Sequence, residues 1–168
     1  MNSEDPYIFI SYVRENKGLV DKLYTTLINQ NIKVWMDRKS IFPGQRWKYS
    51  IRKAIKQGSF FIACFSKEYN EKNHSYMNEE LTVAIDVMRR KPFDLTWFIP
   101  VKVSECLIPD RDIGAGETLN DIQSIDLYSD WDSGVAKLLS ILAPQKKIHY
   151  ELRYYCYWKR ARRLCYSY

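Results

Sequence analysis

Glu79 and Glu80 stand at the start of a helical pattern in which Met77, Leu81, Ala84, Ile85 and Met88 recur on one face. That pattern follows the uninterrupted apolar run Phe60-Phe61-Ile62-Ala63-Cys64-Phe65. A buried strand, a short connection and then a helix carry a carboxylate to the carboxyl-terminal edge of a parallel sheet, where open α/β sheets bind their ligands. A second apolar run, ending in Phe9-Ile10-Ser11-Tyr12, reaches the same edge. Together they predict a nucleotide-type cleft with one acidic residue in it.

Helix geometry selects between the two acids. Leu81 belongs to the core stripe; Glu80 lies about 100° from it on the flank of Ala84, whereas Glu79 lies about 200° away, towards solvent. Tyr76, four residues before Glu80, shares its face. Glu80 is therefore the candidate, and the plainer reading is that both glutamates simply favour a helix amino terminus. Arg14 follows the first strand and otherwise reads as an exposed loop arginine. Tyr12 and Val13 line a pocket or pack in the core. Phe42 and Trp47 flank Pro43-Gly44, and Trp47 also falls on the apolar stripe of its own helix. Ser66 ends the central run and either bonds a ligand or caps the following turn. The four cysteines form neither a Cys-x-x-Cys pair nor a zinc spacing, so no metal site is expected, and His74 reads as a surface histidine. No Gly-x-Gly-x-x-G or Walker motif is present, and no paired acids follow the first strand, which argues against a response-regulator receiver.

The elements that must position these residues alternate. Tyr7 to Tyr12 predicts a strand, and Val20, Leu23, Tyr24, Leu27 and Ile28 recur at i, i+3, i+4, i+7 and i+8, the stripe of an amphipathic helix. Ile32 to Met36 reads as a second strand, and Asp37 to Arg46 as a polar loop turning at Pro43-Gly44. Trp47, Ile51, Ala54 and Ile55 mark the next helix, stopped by Gly58. Phe60 to Phe65, apolar throughout, belongs at the centre of a sheet covered on both faces. Thr96 to Val103 and Ile122 to Leu127 supply the fourth and fifth strands, and Ser104 to Asn120, rich in Pro, Gly and Asp, reads as surface loop. Trp131, Val135, Leu138, Leu139 and Leu142 make a closing helix ended by Pro144. This alternation predicts an α/β three-layer sandwich on a parallel sheet.

The chain of 168 residues is 46% apolar and 27% charged, which fits one domain with a real core. No apolar run approaches the ~20 residues that span a bilayer. The polar, acidic start Met1-Asn2-Ser3-Glu4-Asp5-Pro6 is unlike a signal peptide, so a cytoplasmic, reducing setting is expected. The net charge of +6 resides wholly in the last stretch: from Pro144 to Tyr168 seven Lys or Arg face one acid, Glu151. The first 143 residues are formally neutral, so a basic surface suited to nucleic acid over the whole body is not indicated. The division expected is a domain over 1–143 and a basic, aromatic-rich tail over 144–168, read as a docking segment or the start of a further region. Its six tyrosines and the cluster Lys159-Arg160-Ala161-Arg162-Arg163 also suit nucleic acid or an anionic membrane.

In order, these residues resemble a Toll/interleukin-1 receptor (TIR) domain. Phe9-Ile10-Ser11-Tyr12 followed by Arg14 resembles the family's first box, and Ile41-Phe42-Pro43-Gly44 after Asp37 resembles its BB loop. Ser66, then Tyr76-x-x-x-Glu80-Leu81, resembles its catalytic-helix segment, with Tyr76 where many members have Trp. Ile99-Pro100-Val101-Lys102-Val103 and Asp126-Leu127 with Trp131 look like bacterial members. The resemblance covers roughly residues 5 to 143 and implies a flavodoxin-like three-layer sandwich with a five-stranded parallel sheet.

The same resemblance implies a function. Catalytic members cleave the nicotinamide–ribose bond of NAD+, giving nicotinamide and ADP-ribose or a cyclic isomer, with NAD+ as substrate and no cofactor. Glu80 is then the catalytic carboxylate, and Tyr12, Val13, Arg14, Phe42, Trp47, Ser66 and Tyr76 are the substrate-binding set. Arg14 would contact a phosphate or frame the nicotinamide pocket; Phe42 sits at a loop position that is polar or acidic in some catalytic members. Self-association through the BB loop, Asp37 to Arg46, would complete the site of the next protomer, under an upstream sensor, in bacterial anti-phage defence. The alternatives are a non-catalytic TIR adaptor or effector acting through TIR–TIR contacts, and an enzyme resembling the nucleoside deoxyribosyltransferases.

Overall fold

The computed structural model describes residues 7–36, 40, 46–72, 74–92 and 94–142, and of Trp47 the backbone alone. Phe42, most of the expected BB loop and the tail over 144–168 lie outside the described residues.

Along the chain these form β1 (Ile8–Tyr12), a 3-10 turn (Arg14–Asn16), α1 (Lys17–Asn29), β2 (Val34–Trp35), α2 (Trp47–Gln57), β3 (Phe60–Phe65), α3 (Lys67–Asn70) and α4 (Tyr76–Met88). There follow β4 (Phe98–Lys102), β5 (Asp112–Gly114), β6 (Glu117–Thr118), a second 3-10 turn (Leu119–Asp121), β7 (Ile125–Asp126) and α5 (Trp131–Leu142).

All six residues of β3 are buried, because the strand is covered on both faces. Phe61, Ala63 and Phe65 enter one core with Ile51, Ala54 and Ile55 of α2 and Met77, Leu81 and Ala84 of α4. Phe60, Ile62 and Cys64 enter the other with Val20, Leu23 and Leu27 of α1 and Val135, Leu138 and Leu142 of α5. Period-two alternation thus sorts one apolar run into two cores, with helices outside each. The main sheet is entirely parallel, in the order β2-β1-β3-β4-β7. This is the flavodoxin-like order, which reverses direction between β1 and β3 and opens a crevice there.

Across the α2–α4 face runs a row of rings in register. Trp35 stacks on Phe9 at 4.8 Å between centroids, Phe9 on Phe61 at 5.2 Å, and Phe61 on Phe98 at 5.4 Å. Each pair adds about 0.5–1.5 kcal/mol beyond burial, so four strands are tied together on the face that carries Glu80.

Several details differ from the sequence expectations; the strand expected over Ile122 to Leu127 is only Ile125–Asp126. The second strand is only Val34–Trp35, as befits an edge strand paired on one side. The stripe of α1 ends at Leu27, since Ile28 is 39% exposed. Finally, the stretch 104–120 carries local structure: β5 and β6 form a hairpin whose turn runs through Gly114, Ala115 and Gly116, all at positive φ. Glycine supplies that conformation at two of the three positions without steric cost. The stretch is also docked, because Asn70 Nδ2 donates to the Leu107 carbonyl at 2.9 Å and Arg89 Nη2 to the Asp112 carbonyl at 2.8 Å.

Candidate active site

Ser11 is the next-to-last residue of β1 and has no solvent exposure. Alternation places it on the side of Phe9 and Val13, facing the core of α2 and α4. Its Oγ donates to Oε2 of Glu80 at 2.5 Å. Glu80 is itself only 7% exposed. An ionised carboxylate at such a position is costly unless hydrogen-bonded, and a short bond of this kind stabilises the charge it receives.

The helix under Glu80 is clamped. Met77 and Leu81 bury its inner face. Arg111, from the docked stretch before β5, donates through Nη2 to Asn78 Oδ1 at 2.8 Å and through Nη1 to the Asn78 carbonyl at 3.3 Å. The Tyr69 hydroxyl donates to the same Asn78 Oδ1 at 2.7 Å. Burial raises the Tyr69 hydroxyl above the ordinary tyrosine range, so it stays a donor. The first turns of α4 are thus fixed from three directions: β1, α3 and the 104–120 stretch.

Beside Glu80, α2 and α4 border a shallow, solvent-open cleft. Lys48, Ile51 and Arg52 line the α2 wall; Tyr76, Glu79, Glu80 and Val83 line the α4 wall. Glu79, at the exposed side of the cleft, pairs with Lys48 Nζ at 3.5 Å, as its outward helical angle predicts.

Of the residues named from sequence, the cleft therefore gathers Glu80 and Tyr76, the latter 56% exposed. Val13 is buried in the core shared with α2 and α4. Tyr12 is half-buried against the opposite core. Arg14 is exposed in the turn after β1. Ser66 caps α3, its Oγ accepting from the Tyr69 amide at 3.2 Å. Ser11, Lys48 and Arg52 were not anticipated. Ser11 had a signal in the sequence, a lone hydroxyl at an inward position of an otherwise apolar strand; Lys48 and Arg52 are ordinary surface cations until α4 is placed beside them. Among the described residues no cluster of three or more His, Cys, Asp or Glu is arranged to hold a metal, and no helix is long and apolar enough to cross a membrane.

The family model of the TIR domain matches residues 8–139. The chain belongs to the TIR family. Its fold is similar to the TIR domain of the Toll-related receptor TRR-2 from Hydra magnipapillata, at a TM-score of 0.58 and 18% identity, over 84% of this chain and 97% of that one. A prokaryotic SEFIR domain matches at 0.54 and 20%, over 82% and 98% of the two chains. The TIR domains of the activated Roq1 resistosome match at 0.50 and 27%, over 58% and 57%. No curated protein matches the chain. TIR domains include NAD-cleaving enzymes as well as adaptors, and in this TIR domain two acids line the cleft, of which Glu80 is the buried one.

Proposed function

We propose that this TIR domain is an NAD+ glycohydrolase in which Glu80 faces the reacting ribose. The observation that carries the proposal is the Ser11–Glu80 pair: a buried carboxylate, bonded to the first strand, in the wall of a cleft between α2 and α4. An adaptor has no use for a carboxylate placed there at the cost of burying it.

The reaction suits one carboxylate. The pyridinium of NAD+ is already cationic, so when its bond to ribose breaks the electron pair returns to the ring and neutral nicotinamide leaves without a proton donor. Positive charge develops on the sugar. A preoriented carboxylate stabilises that oxocarbenium-like cation, orients the ribose hydroxyls or traps the sugar covalently. Water then adds and releases a proton, giving ADP-ribose; an internal nucleophile gives a cyclic isomer. Glycosidases need a second carboxyl group to protonate their leaving oxygen, a task absent here. Tyr76 offers an aromatic wall beside Glu80. Phe42 and Trp47, with the segment from Asp37 to Arg46, are assigned to substrate cover and self-association. The likeness of the β4 and β7 segments to bacterial members supports a setting in anti-phage defence, where loss of NAD+ limits infection.

The test is NAD+ consumption by purified protein at high concentration, under crowding or forced clustering, beside Glu80→Ala. Nicotinamide release by the parent and none by the folded variant supports the proposal. No release from either, with assembly demonstrated, makes the chain an adaptor working through TIR–TIR contacts.

A further inference from the structure

We infer that Arg52, together with Lys48, forms a diphosphate subsite on the α2 wall of the cleft; this builds on the assignment of Glu80 to the ribose. The two cations are four residues apart on α2, so they lie on one face about 6 Å apart along the helix axis. Both line the cleft that Glu80 lines. Their helix is anchored from beneath by Ile51, Ala54 and Ile55, which are buried in the core under α4. The backbone that carries the two cations is therefore held against α4, the helix of the carboxylate.

The charges in the cleft are not equivalent. Glu80 receives the Ser11 hydroxyl, and Glu79 is paired with Lys48 at 3.5 Å. Among the described residues Arg52 has no ion pair, although it borders the apolar side chains of Ile51 and Val83. A planar guanidinium is the side chain suited to two phosphate oxygens at once. On the substrate side, the ribose attacked at C1′ carries its phosphate at C5′, so the group adjoining the reaction centre is an anion. Arg14, the phosphate candidate from sequence, does not line this cleft. Glu79 then acts as a competitor: it holds Lys48 until a phosphate displaces it.

The subsite predicts discrimination between ADP and adenosine, measured by NMR or calorimetric titration on the full, assembled chain. Arg52→Gln weakens ADP binding about tenfold or more, the loss of a charge-assisted bidentate contact, and leaves adenosine unchanged. Arg52→Lys recovers only part of the loss, because it restores the charge without the fork. Glu79→Gln tightens ADP binding about two- to fivefold, the worth of an exposed ion pair. In turnover, Arg52→Gln raises KM for NAD+ with little change in kcat. No ADP binding by the parent, or ADP binding indifferent to both Arg52 and Glu79, overturns the subsite whether or not NAD+ is cleaved. If ADP binding depends on Arg52 while the parent releases no nicotinamide, the subsite stands and the glycohydrolase proposal falls.

Discussion

The Ser11 hydroxyl and the Glu80 carboxylate, 69 residues apart in sequence, meet at 2.5 Å between β1 and α4. Neither residue is explained by its own element: a serine adds nothing to a parallel strand's packing, and a glutamate at the inner flank of a helix is out of place. Each accounts for the other. Ser11→Ala should therefore lower kcat for NAD+ about tenfold to hundredfold, the worth of one hydrogen bond to a charged group, while KM moves little. Steady-state kinetics on variants with native circular dichroism would check this; an unchanged kcat would reduce Ser11 to a packing residue.

Arg111 acts at a distance from the cleft, through Asn78. Arg111→Ala should destabilise the domain by about 1 kcal/mol, the net worth of the hydrogen bonds lost, since Asn78 keeps Tyr69 and Thr82 as donors. The loss should be local first: amide hydrogen exchange should quicken across the opening turns of α4 before it quickens in β3. Uniform acceleration would mean that the clamp is not specific to the helix that carries Glu80.

The ring row makes a different demand. Phe61 stacks with Phe9 and with Phe98, and has no exposure. Phe61→Ala should cost about 3–5 kcal/mol. Leu107→Ser, at a side chain that is 80% exposed, should stay within about 0.5 kcal/mol. Urea unfolding midpoints at constant m-value would measure both.

Acidic groups raised by burial weaken the fold at alkaline pH; the Cys106 thiol, pushed from 9.0 up to about 11, is one, and two others reach higher values. Desolvation pushes the Cys64 thiol from 9.0 up to about 12, and the Tyr7 hydroxyl from 10.0 up to about 12. Below about pH 9 both remain protonated in folded and unfolded chains, and their contribution is complete. Between about pH 9 and about pH 12 the unfolded chain ionises first and binds fewer protons than the folded one, so stability falls as pH rises. The urea midpoint should drop across that window. Cys64→Ala should flatten the slope from about pH 9 and Tyr7→Phe from about pH 10, the values at which each group ionises when unfolded.

Much of this was legible in the residues. Phe60–Phe65 announced a central strand because six apolar residues without alternation need cover on both sides. Glu80 was separable from Glu79 because a helix turns a single residue step into about 100°, and the structure has one buried and the other paired with Lys48. What escaped depended on partners remote in sequence. The hairpin of β5 and β6 is too short to show a period, and Arg52 acquires meaning only when α4 lies across from α2. Arg14 and Ser66 were named for their position after strands; the first is exposed in the turn after β1 and the second caps α3.

The meeting of Ser11 with Glu80 has a consequence for how the protein is made. During synthesis the serine emerges first, and its carboxylate partner follows only after α1, β2, α2 and β3. A nascent or truncated chain that stops short of α4 has no site in any form, and one clipped between β1 and α4 has its halves on separate pieces. An activity that depletes a cell's dinucleotide is dangerous to its maker. Under the proposed function it would be withheld from every chain that stops short of α4.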